Sequence, residues 1–286
     1  MNLPFKIDLN NKTAVVTGAG GVLCSSFAEA LAQCGAKVAV LDLRLEAAQS
    51  VADKIRAEGG TANAYACNVL DKESLERVRE EVCKDFGPCN ILINGAGGNN
   101  PKGTTTKEYL FPEDLGPDAA KDITTFFDLD PKGIEFVFNL NFLGTLLPTQ
   151  VFAKDMATAK DPVILNVSSM NAFRPLTKIP AYSGAKAAVS NLTAWLAVHF
   201  AKIGIRCNAI APGFFVTKQN EALLMNPDGS LTPRSGKILA ATPMGRFGKP
   251  EELIGTVLWL CDAGASGFVN GVVVPIDGGF AAYSGV

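Results

Sequence analysis

Short β-branched and apolar runs alternate along this chain with longer segments of helical period, the pattern of βαβ units feeding a parallel sheet. The predicted strands are Thr13–Thr17, Lys37–Asp42, Ala62–Asn68, Asn90–Asn94, Val163–Ser168, Arg206–Ile210 and Gly271–Ile276. Between the first two, Leu23, Phe27, Leu31 and Cys34 recur at spacings of four, four and three, so one face of that helix is apolar and packs on the sheet. Further helices are predicted over Leu45–Glu58, Lys72–Asp85, Pro131–Thr158, Tyr182–Ile203 and Glu251–Asp262.

Length alone leaves one or two domains open for 286 residues, since α/β folds often exceed the usual domain size. Nothing repeats at a fixed period and no Gly/Ser/Pro-rich linker divides the chain, so one domain over 1–286 is expected. The segment from Gly98 to Gly133 is the exception. It is polar, holds Pro101, Pro112, Pro117 and Pro131, and exceeds an ordinary loop. It reads as an active-site or interface elaboration, with a passive surface insertion as the alternative.

The 26 basic and 28 acidic residues leave a net charge of −2, and no block of like charge interrupts the balance. Nucleic acid and anionic membrane surfaces are therefore not expected as partners. The seven cysteines are scattered without a C-x-x-C pair, and His199 is the only histidine, so no metal site is expected. The first ten residues lack a signal-like apolar core, and no uncharged apolar run reaches 18 residues. The chain reads as soluble, reduced and cytoplasmic.

Two motifs carry chemistry. The first, TGAGGVLC from Thr17 to Cys24, joins a predicted strand to a predicted helix. Small residues there let backbone N–H groups approach a pyrophosphate, and the helix N-terminus adds positive potential. Asp42 ends the next strand, 24 residues after Gly18, where a carboxylate can accept from both ribose hydroxyls and repel a 2′-phosphate. NAD is favoured over NADP, with Arg44 able to offset the preference. The bland alternative is a tight turn followed by a solvated Asp. The expected fold class is α/β, a Rossmann-type doubly wound sheet of about seven mostly parallel strands with helices on both faces.

The second motif is Y-x-x-x-K, Tyr182 and Lys186, a spacing that puts both side chains on one helix face. Alone it is common and structural. Its company changes that reading: Ser168-Ser169 ends one strand, with Ser169 13 residues before Tyr182, and Asn94-Gly95-Ala96-Gly97 ends another.

With these residues in place the chain resembles the short-chain dehydrogenase/reductase family over nearly its whole length. The matching residues are Thr17-Gly18 with Gly20 and Gly21, Asp42, Asn94 to Gly97, Asn141 with Gly144, Ser169, Tyr182, Lys186, Pro212-Gly213 and Asp277-Gly278-Gly279. More narrowly, GGVLC, NGAGGNNPK, TFFDLD, NFLGTLLPTQVFAKDM, SSMNAF, APGFF and DGGFAAYSGV resemble its D-mannonate oxidoreductase, or fructuronate reductase, branch. The resemblance implies an NAD(H)-dependent oxidoreductase interconverting D-mannonate and D-fructuronate. The alternatives are another sugar acid or polyol, such as a gluconate, or a non-catalytic NAD-binding regulator.

The resemblance also implies roles. Tyr182 exchanges a proton with the substrate oxygen, Ser169 hydrogen-bonds that oxygen, and Lys186 lowers the Tyr182 pKa and holds the nicotinamide ribose. Asn141 fixes a water linking Lys186 to solvent, or is a helix-kinking amide. Cofactor contacts fall on Gly18, Gly20, Gly21, Val22, Leu23, Asp42, Asn68, Val69, Asn94, Gly95, Ala96, Gly97, Pro212, Gly213, Phe215 and Thr217. Val22 and Cys24 stand where the family usually has glycine, so a shifted but functional loop is expected. Cys24 is expected to pack against the strand.

A sugar acid needs cationic and amide groups near Ser169 and Tyr182. The candidates are Asn99, Asn100 and Lys102, then Asn171, Arg174 and Lys178, then Lys218, Gln219 and Asn220. Arg246 is assigned to structure or interface. His199, 17 residues beyond Tyr182, is too far along the helix for proton transfer. A homotetramer is implied by resemblance.

Overall fold

The computed structural model describes residues 6–118, 120–216 and 224–285. Strands β1 (Thr13–Thr17), β2 (Lys37–Asp42), β3 (Thr61–Ala66), β4 (Ile91–Asn94), β5 (Val163–Val167), β6 (Arg206–Pro212) and β7 (Val273–Ile276) form one sheet. Its order is β3-β2-β1-β4-β5-β6-β7 and every neighbouring pair is parallel. This is the Rossmann-type α/β fold expected from the alternating pattern. The first two strands have the predicted bounds; the others differ from prediction by one or two residues at an end.

Successive strand residues serve opposite faces. Val16, Val38, Val40, Ile91, Ile93, Val163 and Leu165 join one core with Phe27, Leu31 and Leu253. Val15, Ala39, Leu41, Leu92 and Ile164 join a second core with Leu75, Val78, Phe152 and Leu196. Helices α1 (Val22–Gln33), α2 (Leu45–Ala57) and, later in the chain, Glu251–Cys261 therefore cover the first face. Helices α3 (Lys72–Phe86), α5 (Gly144–Met156) and α6 (Pro180–His199) cover the second. Each fully buried aliphatic side chain contributes about 1.5–3 kcal/mol, which is why parallel strands covered on both faces read as nearly continuous apolar runs.

The long helix predicted from Pro131 is interrupted. Helix α4 (Pro131–Phe138) passes into a π-helical turn over Asn139–Leu143 before α5 begins. The Asn141 Nδ2 donates to the Val137 carbonyl at 2.8 Å and to the Gly98 carbonyl at 2.7 Å, so a side chain intrudes on the helical ladder. The combined run Pro131–Met156 is long and apolar enough to cross a membrane by length and composition, yet half of it is buried inside the protein.

The elaborated segment is largely irregular, with 3-10 turns at Pro101–Gly103, Pro112–Leu115 and Phe126–Asp128. It is tied to distant parts of the chain. Thr105 N–H donates to the Lys178 carbonyl at 2.8 Å, and Glu108 pairs with Lys237 at 2.9 Å on α7 (Pro233–Ala240), a helix not predicted from sequence.

Candidate active site

The strand order reverses at β1, which has β2 on one side and β4 on the other. Open α/β sheets hold ligands at such a point, beyond the carboxyl ends of the strands. A cleft of about 500 Å³ opens there, running from Asp42 and Arg44 past Gly18 and Gly95 to Ser169, Tyr182 and Lys186.

Its floor is built by close backbone approach. Gly18 sits at φ 64°, and a Cβ there would lie 2.9 Å from the Ala96 Cα. Thr17 Oγ1 accepts from the Gly95 and Ala96 N–H groups at 3.1 and 3.3 Å, locking the β1 loop to the turn after β4. Gly21 caps α1, and Val22 and Leu23 in its first turn line the cleft with Gly21. The valine at a family glycine position is thus accommodated as the first helical residue. Cys24 fills the space behind: a Cβ on Gly95 would come within 2.2 Å of its Sγ. Burial pushes the Cys24 thiol up to about 12, so it is a packing group and not a nucleophile.

Asp42 closes the far end. Its Oδ2 accepts from Gly20 N–H and its Oδ1 from Arg44 N–H, each at 3.0 Å. Gly20 itself does not line the cleft; its backbone orients the carboxylate. Asn68 and Val69 line the same end, with Asn68 Oδ1 accepting from Leu70 N–H at 3.0 Å. Asn94 is buried below, where its Nδ2 donates to Thr149 Oγ1 and Asn166 Oδ1, each at 2.9 Å, joining β4, β5 and α5. It braces the site and does not face it.

At the other end Ser168 and Ser169 part company. Ser168 Oγ donates to the Lys186 carbonyl at 3.1 Å and pairs with Ser190 Oγ at 2.7 Å. Ser169 caps the 3-10 turn Met170–Ala172, accepting from Asn171 N–H at 3.3 Å, and faces the cleft. Lys186 Nζ donates to the Val167 carbonyl at 2.7 Å and lies 5.7 Å from the Tyr182 ring centroid.

Burial governs the titration of this set. Burial pushes the Tyr182 hydroxyl above its ordinary value, and the Ser169 side chain pulls it partly back. Burial also lowers the Lys186 amine, to about 8.

Asn141 and Lys186 converge on Gly97: a Cβ there would lie 2.7 Å from Asn141 Oδ1 and 3.2 Å from Lys186 Nζ. Asn141 Oδ1 also accepts from Gly98 N–H at 3.3 Å. Asn141 thus interrupts the helix and, across Gly97, stands near the Lys186 amine. Pro212, Gly213 and Phe215 line the wall beyond Ser169; Thr217 and the candidates Lys218, Gln219 and Asn220 lie outside the described residues.

The substrate candidates are dispersed. Among the described residues lining the cleft there is none of Asn99, Lys102, Asn171, Arg174 and Lys178. Asn99 donates to Thr104 Oγ1 at 3.1 Å and Lys102 pairs with Asp130 at 3.5 Å. Asn171 is buried with its Oδ1 unpartnered. Lys178 holds a left-handed backbone (φ 73°) whose carbonyl receives Thr105. Arg174 Nε donates to the Ala281 carbonyl at 2.8 Å.

Sequence reasoning missed Leu43, Cys67, Gly98, Leu140, Val167, Ser168 and Phe214 as lining residues. Each except Cys67 adjoins a residue matched by motif, and Cys67 adjoins Asn68, so the available signal was adjacency in sequence, at strand ends and, for Leu140, in the π-helical turn. Arg246 pairs with Glu252 at 2.6 Å, and His199 stacks on Trp195 at 4.4 Å, both away from the cleft.

The glycine cradle, the acid at one end and the Ser-Tyr-Lys set at the other fit a nicotinamide dinucleotide, and known proteins agree. The short chain dehydrogenase family profile matches residues 12–227. A Haemophilus influenzae protein described as an uncharacterized oxidoreductase is 60% identical over 286 residues, covering 100% of this chain and 99% of that one. A Haemophilus influenzae crystal structure, provisionally described as a D-mannonate oxidoreductase with bound NAD, superposes with a TM-score of 0.93 at 60% identity, covering 100% of both chains. An Escherichia coli 5-keto-D-gluconate 5-reductase is 30% identical over 271 residues, covering 95% of this chain and 96% of that one. The chain belongs to the short-chain dehydrogenases, oxidoreductases that act on an alcohol group.

Proposed function

We propose that this protein uses NAD(H) to interconvert D-mannonate and D-fructuronate. The observation that carries the reading is the span of one cleft, with Asp42 at one end and Ser169, Tyr182 and Lys186 at the other. The Haemophilus influenzae structure supports the choice of cofactor and of substrate class. The nicotinamide supplies or accepts the hydride when bound. In reduction the Tyr182 hydroxyl gives its proton to the carbonyl oxygen, and in oxidation the phenolate takes the alcohol proton. Ser169 donates a hydrogen bond to the same oxygen as charge develops. Lys186, anchored on Val167, returns the proton to Tyr182, and Asn141 positions the Gly97–Gly98 backbone beside it. The reading carries with it a single domain, a cytoplasmic location, a homotetramer and a small sugar acid as partner.

Purified protein is expected to oxidise NADH with D-fructuronate and to leave a 3-oxoacyl thioester untouched, measured by absorbance. The neighbouring reading, another sugar acid, is favoured by the 5-keto-D-gluconate 5-reductase relative. It prevails if 5-keto-D-gluconate turns over and D-fructuronate does not.

The Asp42 carboxylate sets cofactor choice by repelling a 2′-phosphate. Asp42→Ala is expected to shift the NADH-to-NADPH ratio of kcat/KM toward NADPH by about tenfold or more, since like-charge contact costs several kcal/mol. An unchanged ratio would remove repulsion by Asp42 as the cause of the preference.

A further inference from the structure

The three cations around the Ser169–Tyr182 loop do not have equal freedom. Lys102 is paired with Asp130. Lys178 acts on Glu108, which is already held by Lys237. Arg174 is exposed, and among the described residues no carboxylate pairs with it. Its only side-chain partner there is neutral, the Ala281 carbonyl on Nε.

That bond ties the guanidinium to the C-terminal segment. The Ala281 end of the tether is firm because Asp277 accepts from Gly279 N–H at 2.9 Å and from Ala281 N–H at 2.8 Å. Phe280, the neighbour of Ala281, packs edge-on against Phe214 at 5.4 Å, and Phe214 lines the cleft. At its other end Arg174 follows the turn capped by Ser169, with its backbone N–H donating to the Met170 carbonyl at 3.0 Å. The residue thus bridges the Ser169 turn and the C-terminal segment, whose Phe280 packs on the cleft-lining Phe214. With Nε occupied, the free edge of the fork is the Nη1/Nη2 pair, which suits two parallel bonds to a carboxylate.

We infer that Arg174 is the specificity-determining anchor for the carboxylate of an anionic ketose substrate. The inference rests on the oxidoreductase reading above and adds the group that tells a sugar acid from a neutral sugar. A guanidinium also takes a phosphate, so the test separates the two anions.

The test compares wild type with Arg174→Gln and Arg174→Lys on D-fructuronate, 5-keto-D-gluconate, D-fructose and D-fructose 6-phosphate, at low and high salt. Arg174→Gln is expected to raise KM for the preferred keto acid about 10- to 100-fold, the loss of a charge-assisted pair, with kcat little changed. KM for D-fructose and the NADH Kd should stay as in wild type. Arg174→Lys should recover part of the loss, and the salt dependence of KM seen in wild type should vanish in Arg174→Gln. If wild type prefers keto acids and Arg174→Gln keeps that preference, the Arg174 assignment falls and the oxidoreductase reading stands. If D-fructuronate is inert but 5-keto-D-gluconate shows the Arg174 effect, the named substrate falls and the anchor stands. A wild-type preference for the phosphate or the neutral ketose overturns the carboxylate anchor.

Discussion

Tyr182→Phe is expected to lower kcat/KM for the ketone by about 10²- to 10⁴-fold, the range that a positioned proton donor supplies. The ring is retained, so its packing in the cleft wall and the NADH affinity should not change. What is lost is the hydroxyl that burial holds in its protonated form and that Ser169 tunes downward. A hydroxyl kept protonated is suited to giving a proton to a carbonyl oxygen, so the reductive direction should need no prior ionisation. Steady-state kinetics together with NADH fluorescence titration decides the matter. A fall of less than about tenfold would place the proton donor elsewhere. Binding of NADH without any turnover in the wild type would instead mark a cofactor-binding regulator, with no activity for the substitution to remove.

Much of this arrangement was legible because it depends on local spacing. Strand bounds followed from β-branched runs such as Lys37–Asp42, where both faces of the sheet are covered and apolar residues must be continuous. Tyr182 and Lys186 share a helix face by arithmetic alone. The π-helical turn at Asn139–Leu143 was not legible, because it arises from Asn141 reaching the carbonyl of Gly98, 43 residues earlier in the chain. The same reason hides the substrate end. Arg174 is placed by Ala281, 107 residues away, and Glu108 by Lys237, 129 residues away. Among nine polar candidates the sequence offers no means of telling the paired from the free. The effect of burial on the pair was hidden for a related cause. A one-turn spacing places an amine near a phenol, but whether it stays charged depends on burial by β5 and the Gly97 turn, which only the assembled sheet supplies.

Lys186→Met is expected to abolish most of the turnover and to change stability in a way that depends on pH. Lys186 is 4% exposed, and burial lowers its value from 10.5 to about 8. Between those two values the unfolded chain binds a proton that the folded chain does not, so wild-type stability rises as pH increases through that window. Below about pH 8 the fold carries the full cost of a buried ammonium, about 3 kcal/mol. Above the unfolded value that cost is gone. Methionine fills a similar volume without charge but leaves the Val167 carbonyl without its Nζ donor, a pH-independent loss of about 1 kcal/mol. The Tm of Lys186→Met relative to wild type should therefore be most favourable at pH 6–7 and decline steadily toward pH 10, in parallel thermal melts. A difference that is flat across this range would mean that Lys186 titrates in the fold as it does in the unfolded chain and stays charged throughout. It would then face Tyr182 as a permanent ammonium, a charge that favours the phenolate needed to take the alcohol proton in oxidation.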